Sequence, residues 1–162
     1  MARPETGQLS AAWPRLLFAG IAVGVFAADR VTKSLVVSSI APGSEVTMVD
    51  HLVWIQHVQN ACGAFSLCTL SAPIFLLVSA VVALALIVYE VGHSGPIWMH
   101  AVLGLVLGGT LGNGYDRLTQ GSVTDFIALH WWPTFNVADS AISVGVLLLA
   151  AGYLFRRRPS PG

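Results

Sequence analysis

Four long stretches of apolar residues, separated by shorter polar segments, divide the chain. A bilayer's hydrocarbon core is crossed by about 20 consecutive apolar residues in a helix. The stretches at residues 16–36, 71–89, 96–115 and 136–155 reach about this length and predict four transmembrane helices. Because no repeat or low-complexity linker separates them, we expect residues 1–162 to form a single integral membrane domain.

The first stretch also has features of a cleavable signal peptide. It has a basic start, a short apolar core and small residues at Ala27 and Ala28. Apolar character resumes at residues 35–40, however, and three more stretches follow. We therefore expect an uncleaved first helix.

Basic residues at the two ends of the chain predict its orientation. Arg3 and Arg15 precede the first stretch, and three arginines at residues 156–158 follow the fourth. Short flanking segments rich in Lys and Arg stay in the cytoplasm. Both termini should therefore be cytoplasmic, which agrees with an even number of spans. The loops are then outer at residues 37–70 and 116–135 and inner at residues 90–95.

The first outer loop has the pattern of strands. Residues 41–66 are β-rich, with two runs at 45–49 and 52–58 that are broken at Asp50 and His51. Such runs around a polar break predict a hairpin. Because Trp54 suits the membrane interface, we expect a small β element lying on the outer membrane surface.

Composition supports a membrane protein. The 162 residues are 55% hydrophobic and only 10% charged, whereas a soluble domain has about 25% charged residues. A net charge of +0 gives no basic face for nucleic acid, so we expect no nucleic-acid partner. Two cysteines, Cys62 and Cys68, are too few and too close together for a disulfide framework.

The unusual polar residues fall on one predicted side of the membrane. They lie at the outer ends of the first, third and fourth helices and in the two outer loops, while the inner side has almost none. This one-sidedness indicates a site that faces outward at the membrane surface. Its members are Asp29, Lys33, Asn60, Asn113, Asp116, Arg117, Asp125, Asn136 and Asp139.

Asp125 and Asp139 have no Lys or Arg near them in sequence. A carboxylate beside a bilayer without a cation is costly and often functional. Two carboxyls that approach each other share a proton and can activate water, as in aspartic proteases. The structural alternative is local. Asn136 would cap the fourth helix, the positive end of the helix dipole would stabilise the Asp139 carboxylate, and Asp125 would be an acidic residue of a turn. Spacing alone leaves both interpretations open.

Three basic residues fall on the predicted outer side, although Lys and Arg usually concentrate in cytoplasmic loops. Arg30, Lys33 and Arg117 each stand close to Asp29 or Asp116, so we expect them to form ion pairs. Asp29 and Lys33 are four residues apart on one helix, the favourable order for a structural pair. The functional alternative is that Lys33 also contacts substrate.

Other chemistries fit poorly. The Gly-x-Ser-Gly pattern at residues 92–95 falls in the inner loop, away from the polar cluster. The five histidines form neither an H-E-x-x-H motif nor an i, i+4 pair, so we expect no metal site. No glycine-rich loop follows a strand, and we expect no cofactor.

The chain resembles the bacterial lipoprotein signal peptidases (signal peptidase II) over nearly its whole length. Five sequence blocks occur in the same order on the matching side of four spans. They are Asp-Arg-Val-Thr-Lys at 29–33, the Asn60 to Ser66 segment, Gly-Asn-Gly-Tyr-Asp-Arg at 112–117, Val-Thr-Asp-Phe at 123–126 and Phe-Asn-Val-Ala-Asp at 135–139.

The resemblance implies a function and residue roles. It implies an aspartic endopeptidase of the bacterial cytoplasmic membrane that cleaves prolipoproteins before the diacylglyceryl cysteine. It matches Asp125 and Asp139 to the catalytic aspartates, and the other polar residues of the outer cluster to supporting positions. It also implies a four-helix fold with a surface β element and a small outer helix. The small size favours a monomer.

One block departs from the family pattern. Cys62 stands where the family has a glycine, and Gly63 follows one position later. Because cysteine adopts positive φ less freely than glycine, the loop is expected to follow another path. An idle relative that only binds lipidated peptides is therefore one alternative function, and a proton-coupled transporter is another.

Overall fold

The computed structural model describes residues 6–61 and 72–156, and the side chains of residues 12–61 and 72–155. Four helices occupy the four apolar stretches; the first begins ten residues before its stretch, and every other boundary lies within five residues of the predicted one. The elements are α1 (Thr6–Ser39), β1 (Glu45–Val49), β2 (Val53–Asn60), α2 (Ala72–Gly92), α3 (Ile97–Gln120), β3 (Val123–Leu129), β4 (Trp132–Phe135) and α4 (Val137–Arg156).

Helix α3 is the centre of the bundle and packs against the other three helices. Its small residues allow this. Gly104 and Gly108 lie against the backbone of α1, and Gly109 lies against the backbone of α4. Without a Cβ, the helix axes approach closely, as is common in membrane bundles. The polar residues that follow these glycines on α3 are thereby held near both neighbouring helices.

The β element is larger than the predicted hairpin. It is a four-stranded antiparallel sheet with the order β1-β2-β3-β4. The segment between α1 and α2 supplies β1 and β2, and the segment between α3 and α4 supplies β3 and β4. Strand β2 pairs with β3, with Val58 opposite Asp125 and Asn60 opposite Val123. Pairing between the two loops is what brings Asn60 and Asp125 together, and no local pattern showed it.

Turns at the sheet are set by backbone conformation. Gly121 follows α3 with φ 70° and donates its N–H to the carbonyl of Arg117 at 3.1 Å. This left-handed residue ends the helix in the way that glycine permits. The chain then turns directly into β3, so residues at the end of α3 lie beside the start of that strand.

Much of the helical surface is apolar and exposed. Leu77, Leu84 and Leu147 are 63%, 63% and 69% exposed. Within the described residues, two helices are long and apolar enough to cross a membrane, Ala72–Gly92 and Val137–Phe155. Helices α1 and α3 have 34 and 24 residues and carry several of the buried polar side chains, among them Asp29, Lys33 and Asp116. The expected small outer helix is not among the described elements, and Cys62 to Ser66 lie outside the described residues.

Candidate functional site

The predicted polar residues meet at the end of the bundle that carries the sheet. Asp125 comes from β3, Asn60 from the end of β2, and Asp139 from the first turn of α4. Asn113 comes from α3 and Asn136 precedes α4. Four elements and one junction thus contribute to one hydrogen-bonded cluster.

Asn136 links the two aspartates. Its Nδ2 donates to Asp125 Oδ1 at 2.8 Å, and its Oδ1 accepts from the backbone N of Asp139 at 2.9 Å. In return, Asp139 Oδ2 accepts from the backbone N of Asn136 at 3.2 Å. This reciprocal pattern is a capping box. The expected helix cap is therefore present, and the same residue also contacts Asp125.

Asp125 is a buried strand residue. It is 3% exposed, and its Oδ2 accepts from Asn60 Nδ2 at 2.8 Å. The alternative of a turn acid is wrong, because the residue lies within the β3 ladder opposite Val58. Both carboxyl oxygens therefore face amide donors that come from separate parts of the chain.

The orientation of the Asn113 amide is set by Lys33. The Lys33 Nζ can only donate, and it lies 3.1 Å from Asn113 Oδ1. The Asn113 Nδ2 must then be the group that donates to Asp139 Oδ1 at 2.7 Å. Asn113 Oδ1 also accepts from Asn136 Nδ2 at 3.1 Å. Lys33 thereby aims an amide donor at one aspartate of the pair.

A buried ion-pair cluster lies beneath these residues. Lys33 is 1% exposed and pairs with Asp29 at 2.8 Å and Asp116 at 2.9 Å, and Arg30 also pairs with Asp116. The expected pair between Asp29 and Lys33 is confirmed. Because breaking a buried pair leaves an uncompensated charge, this cluster resists rearrangement.

The same cluster anchors other elements through backbone groups. Asp29 Oδ1 accepts from the N of Ala138 on α4 at 3.0 Å. Asp116 Oδ2 accepts from the N of Thr124 on β3 at 3.2 Å. One carboxylate therefore fixes the start of α4 and the other fixes the start of β3, which are the two segments that carry Asp139 and Asp125.

Arg117 differs from the expectation of an ion pair. Within the described residues it has no carboxylate within 4 Å, and its guanidinium lies 5.3 Å from the ring centre of Phe75 on α2. It is nevertheless near enough to interact electrostatically with Asp139 and Asp125. The aspartates therefore lack a neighbouring cation in sequence but not in space.

Burial changes the acidity of Asp125. Burial of the carboxyl away from water and, to a smaller extent, the nearby charge of Asp139 together raise the pKa of Asp125 from 3.8 to about 6, against the lowering effect of the Asn60 hydrogen bond. The raised pKa can keep a proton on Asp125 at mildly acidic pH.

Sequence reasoning missed the contribution of Thr124. Its carbonyl accepts from Asn136 Nδ2 at 3.3 Å, and its N donates to Asp116. These contacts are made by backbone atoms and leave no trace in the sequence. Arg30 was expected only to form an ion pair, which is confirmed, but it also shares Asp116 with Lys33 and so belongs to the support of the site.

Across residues 6–61 and 72–156, no three His, Cys, Asp or Glu side chains group as metal ligands. The two innermost carboxylates, Asp29 and Asp116, are already bound by side-chain cations and backbone N–H groups.

Comparison with known proteins is consistent with this geometry. The family model described as Signal peptidase (SPase) II matches residues 21–155. The chain belongs to the signal peptidase II family. A lipoprotein signal peptidase of Rhodococcus jostii is 40% identical over 90% of this chain and 76% of its own length. One from Aquifex aeolicus is 38% identical over 87% of each chain.

Solved structures agree on the fold. A bacterial membrane enzyme whose structure was determined by the in meso method at 2.3 Å resolution has a TM-score of 0.80 and 26% identity, covering 88% of this chain and 92% of its own. A second, at 1.9 Å resolution, has a TM-score of 0.76 and 28% identity, covering 83% and 90%. As a member of the signal peptidase II family, this chain is a peptidase with the fold of a membrane enzyme.

Proposed function

We propose that this signal peptidase is an intramembrane aspartic endopeptidase whose catalytic pair is Asp125 and Asp139. Its substrate is a bacterial prolipoprotein, cleaved before a diacylglyceryl-modified cysteine. The observation that carries the proposal is that Asn136 contacts both aspartates. Its side-chain nitrogen donates to the Asp125 carboxyl, and its backbone N donates to the Asp139 carboxyl within the capping box, so both carboxyls are held in one site. The names of the curated relatives support the substrate class.

The two aspartates take different roles in this mechanism. Asp125 is the more buried and has the raised pKa, so it carries the shared proton. Asp139 is only half-buried and is the residue that water reaches. Asp139 accepts a proton from water as the water oxygen attacks the scissile carbonyl carbon, and Asp125 donates its proton to the carbonyl oxygen.

Collapse of the tetrahedral intermediate restores the pair. The carbon–nitrogen bond breaks, the departing nitrogen takes the proton held by Asp139, and the hydroxyl proton returns to Asp125. Amide donors from Asn60, Asn113 and Asn136 hold the carboxyls in position throughout. Preorganised donors of this kind contribute to catalysis because they need not reorient during reaction.

The remaining polar residues position Asp125 and Asp139 or supply charge near them. Lys33, Asp29 and Asp116 fix the segments that carry the aspartates. Arg117 supplies positive charge near the pair, where a peptide carbonyl or a lipid oxygen would lie.

The membrane arrangement is part of the proposal. Four helices cross the cytoplasmic membrane, both termini are cytoplasmic, and the sheet lies on the outer surface, with a monomer as the working unit. Trp131 and Trp132, 74% and 48% exposed at the β3–β4 turn, suit the interface between headgroups and water. The site then faces the outer leaflet, where a lipid-modified peptide presents its cleavage point.

Replacement of either aspartate tests the chemistry. Asp125→Asn and Asp139→Asn keep the side-chain shape but remove the proton-carrying carboxyl, so cleavage of a purified diacylglyceryl-modified peptide should fall by roughly three orders of magnitude or more. The matched control is Asp50→Asn, an 87% exposed aspartate of the β1–β2 turn, which should cleave at the wild-type rate.

Binding and proton-flux measurements, made beside the cleavage assay, separate the rival functions. Binding of the lipidated peptide by the wild type without product would indicate an idle relative. Proton flux into vesicles that disappears in Asp139→Asn, without any cleavage, would indicate a transporter. Full turnover by either catalytic-pair variant would exclude the aspartyl mechanism.

A further inference from the structure

An apolar groove runs between α1 and α2 with α3 as its floor. Its volume is about 610 Å³, which lies within the range of about 300–1,000 Å³ that small-molecule sites occupy. The groove exists because small residues line it where large ones would fill it. They include Ala19 and Ala22 on α1, Ala80 and Ala83 on α2, and Gly114 on α3.

The groove offers almost nothing polar to a ligand along its length. Apart from Tyr115 at one end, the hydroxyls of the lining are already used: Ser79 Oγ donates to the Phe75 carbonyl at 2.9 Å, and Thr110 Oγ1 donates to the Val106 carbonyl at 2.7 Å. Water in such a space would lack partners. The chemistry of the lining therefore suits a hydrocarbon chain.

The groove is separate from the aspartate pair. On α3, Gly109 packs against Ala138 of α4, and Asn113 binds Asp139. Gly114 and Leu118 instead line the groove, on the side that faces α1 and α2. The two sites therefore use different faces of the same helix.

The dimensions match one leaflet of a bilayer. The groove extends along α3 from Leu107 to Leu118, a rise of about 17 Å at about 1.5 Å per residue. Half of the hydrocarbon core is about 15 Å. The groove also opens sideways, because the lining residues Val23 and Leu118 are 66% and 69% exposed. A lipid chain in the membrane could enter it directly.

A cation stands at the end of the groove nearest the sheet. Phe26 and Tyr115 line this end and pack edge to face at 5.9 Å, and the Arg30 guanidinium lies 4.5 Å from the centre of the Tyr115 ring. Arg30 donates to Asp116 through Nη1, and its side chain is 27% exposed. A guanidinium has five N–H donors, so others remain for an anionic group. Arginine binds phosphate well because it can offer two donors at once.

We propose that this groove binds one acyl chain of an outer-leaflet phospholipid with an anionic head group, and that Arg30 contacts its phosphate. The occupant is a membrane lipid and not the substrate. The proposal shares with the proposed function only the placement of the sheet end at the outer surface, and it does not require that Asp125 and Asp139 cleave anything.

Lipid titration tests the groove directly. Delipidated protein in detergent is titrated with palmitoyl-oleoyl phosphatidylglycerol, and bound lipid is counted by native mass spectrometry. The wild type should retain one lipid in preference to phosphatidylcholine. Ala80→Phe and, independently, Ala19→Phe fill the groove from α2 and α1 and should weaken retention roughly tenfold or more.

Ala85→Phe is the matched control, since Ala85 is an exposed alanine of α2 outside the groove lining. It should retain lipid as the wild type does. Arg30→Gln should remove the preference for phosphatidylglycerol over phosphatidylcholine while the acyl chain still binds. Thermal unfolding of each variant, measured alongside, identifies any that has lost its fold.

Two results would overturn the proposal. One is equal lipid retention by the wild type and both groove-filling variants in their folded form. The other is one-for-one displacement of phosphatidylglycerol by a lipidated substrate peptide, which would make the groove part of the substrate site. A cleavage-dead Asp139→Asn protein that still retains the phospholipid would support the lipid site whatever the outcome for the catalytic proposal.

Discussion

Asn136 performs two functions at the scale of a single residue. Its side-chain oxygen caps α4, and its side-chain nitrogen holds Asp125. The helix cap expected from the sequence and the contact with Asp125 are therefore made by one side chain. A cap residue has a fixed position relative to its helix, so a donor attached to it is fixed as well.

Substitutions at Asn136 should separate these functions. Asn136→Ala loses the cap and the contact with Asp125, so we expect a loss of about 1–2 kcal/mol in unfolding free energy together with most of the activity. Asn136→Ser restores a capping oxygen but no donor that reaches Asp125. It should recover much of the stability in thermal unfolding and little of the activity; equal recovery of both would contradict the assignment.

The acidity of Asp125 predicts a dependence of stability on pH. Its pKa is about 6 in the folded protein, against an ordinary value of 3.8, so the native state binds the proton more tightly than the unfolded state. Stability from this group is therefore present at low pH and is lost as pH rises from about 4 to 6. The loss approaches about 3 kcal/mol at about 1.36 kcal/mol per pKa unit.

Asp125→Asn cannot ionise and should lack this loss. Unfolding of wild type and variant in detergent, measured from pH 4 to 8, should give a difference that moves in favour of the variant up to about pH 6 and then levels off. If the unfolding free energies of the wild type and the variant changed in parallel with pH, the burial of Asp125 would not perturb its proton affinity. If Asp125 must carry the proton, kcat/KM should also fall above about pH 6.

At the scale of elements, close helix packing and strand pairing build the site together. Glycines bring α3 against α1 and α4, which places Lys33 and Asn113 beside the start of α4. Pairing of β2 with β3 brings Asn60 to Asp125. Both contacts are needed, because the helices supply one aspartate and the sheet supplies the other.

Glycine substitutions should show this dependence on close packing. A Cβ at Gly108 would lie 2.6 Å from the Ala22 carbonyl oxygen and 2.7 Å from Val25 Cβ. Gly108→Ala must push α1 and α3 apart, and we expect a loss of about 1–3 kcal/mol in unfolding free energy with reduced activity. The measurement is thermal unfolding and peptide cleavage on the same preparation.

Gly24→Ala is the matched control on α1. No atom lies within 4 Å of a Cβ built at Gly24, and alanine favours helix over glycine by up to about 1 kcal/mol. The control should be as stable as the wild type or slightly more stable. If the two variants behaved alike, close approach of α1 and α3 would not be what the glycines provide.

At the scale of the whole molecule, the polar cluster and the sheet occupy one end of an apolar bundle. The exposed helical surface is rich in large apolar side chains, and lipid is the solvent that suits it. In the proposed arrangement, a buried site at one end of such a bundle meets its substrate at the membrane surface, where the apolar and aqueous phases join.

Reporter fusions test the proposed topology. Alkaline phosphatase, which is active only outside the cytoplasm, should be active when fused after Gly43 and inactive when fused after Ser94 or Gly162. A fluorescent protein that folds only in the cytoplasm should give the opposite pattern. Activity of the phosphatase after Ser94 would place the α2–α3 turn outside and reverse the arrangement.

Much of the fold and of the site could be predicted from sequence. Apolar runs of about 20 residues coincide with all four helices of the structure, two of which are long and apolar enough to cross a membrane. Charged residues are rare in this chain, so those at the predicted outer ends of the helices stood out. The spacing of Asp29 and Lys33 correctly predicted their ion pair. The family blocks then identified the signal peptidase II family, which the comparisons confirm.

Only the tertiary structure decided how these parts meet. The union of two loops into one sheet, the backbone contacts of Thr124 and Ala138, and the approach of Arg117 to the aspartates join residues distant in sequence. The physical reason is that hydropathy and capping act over a few neighbouring residues, whereas strand pairing, burial and electrostatic coupling depend on distances that exist only after the chain has folded.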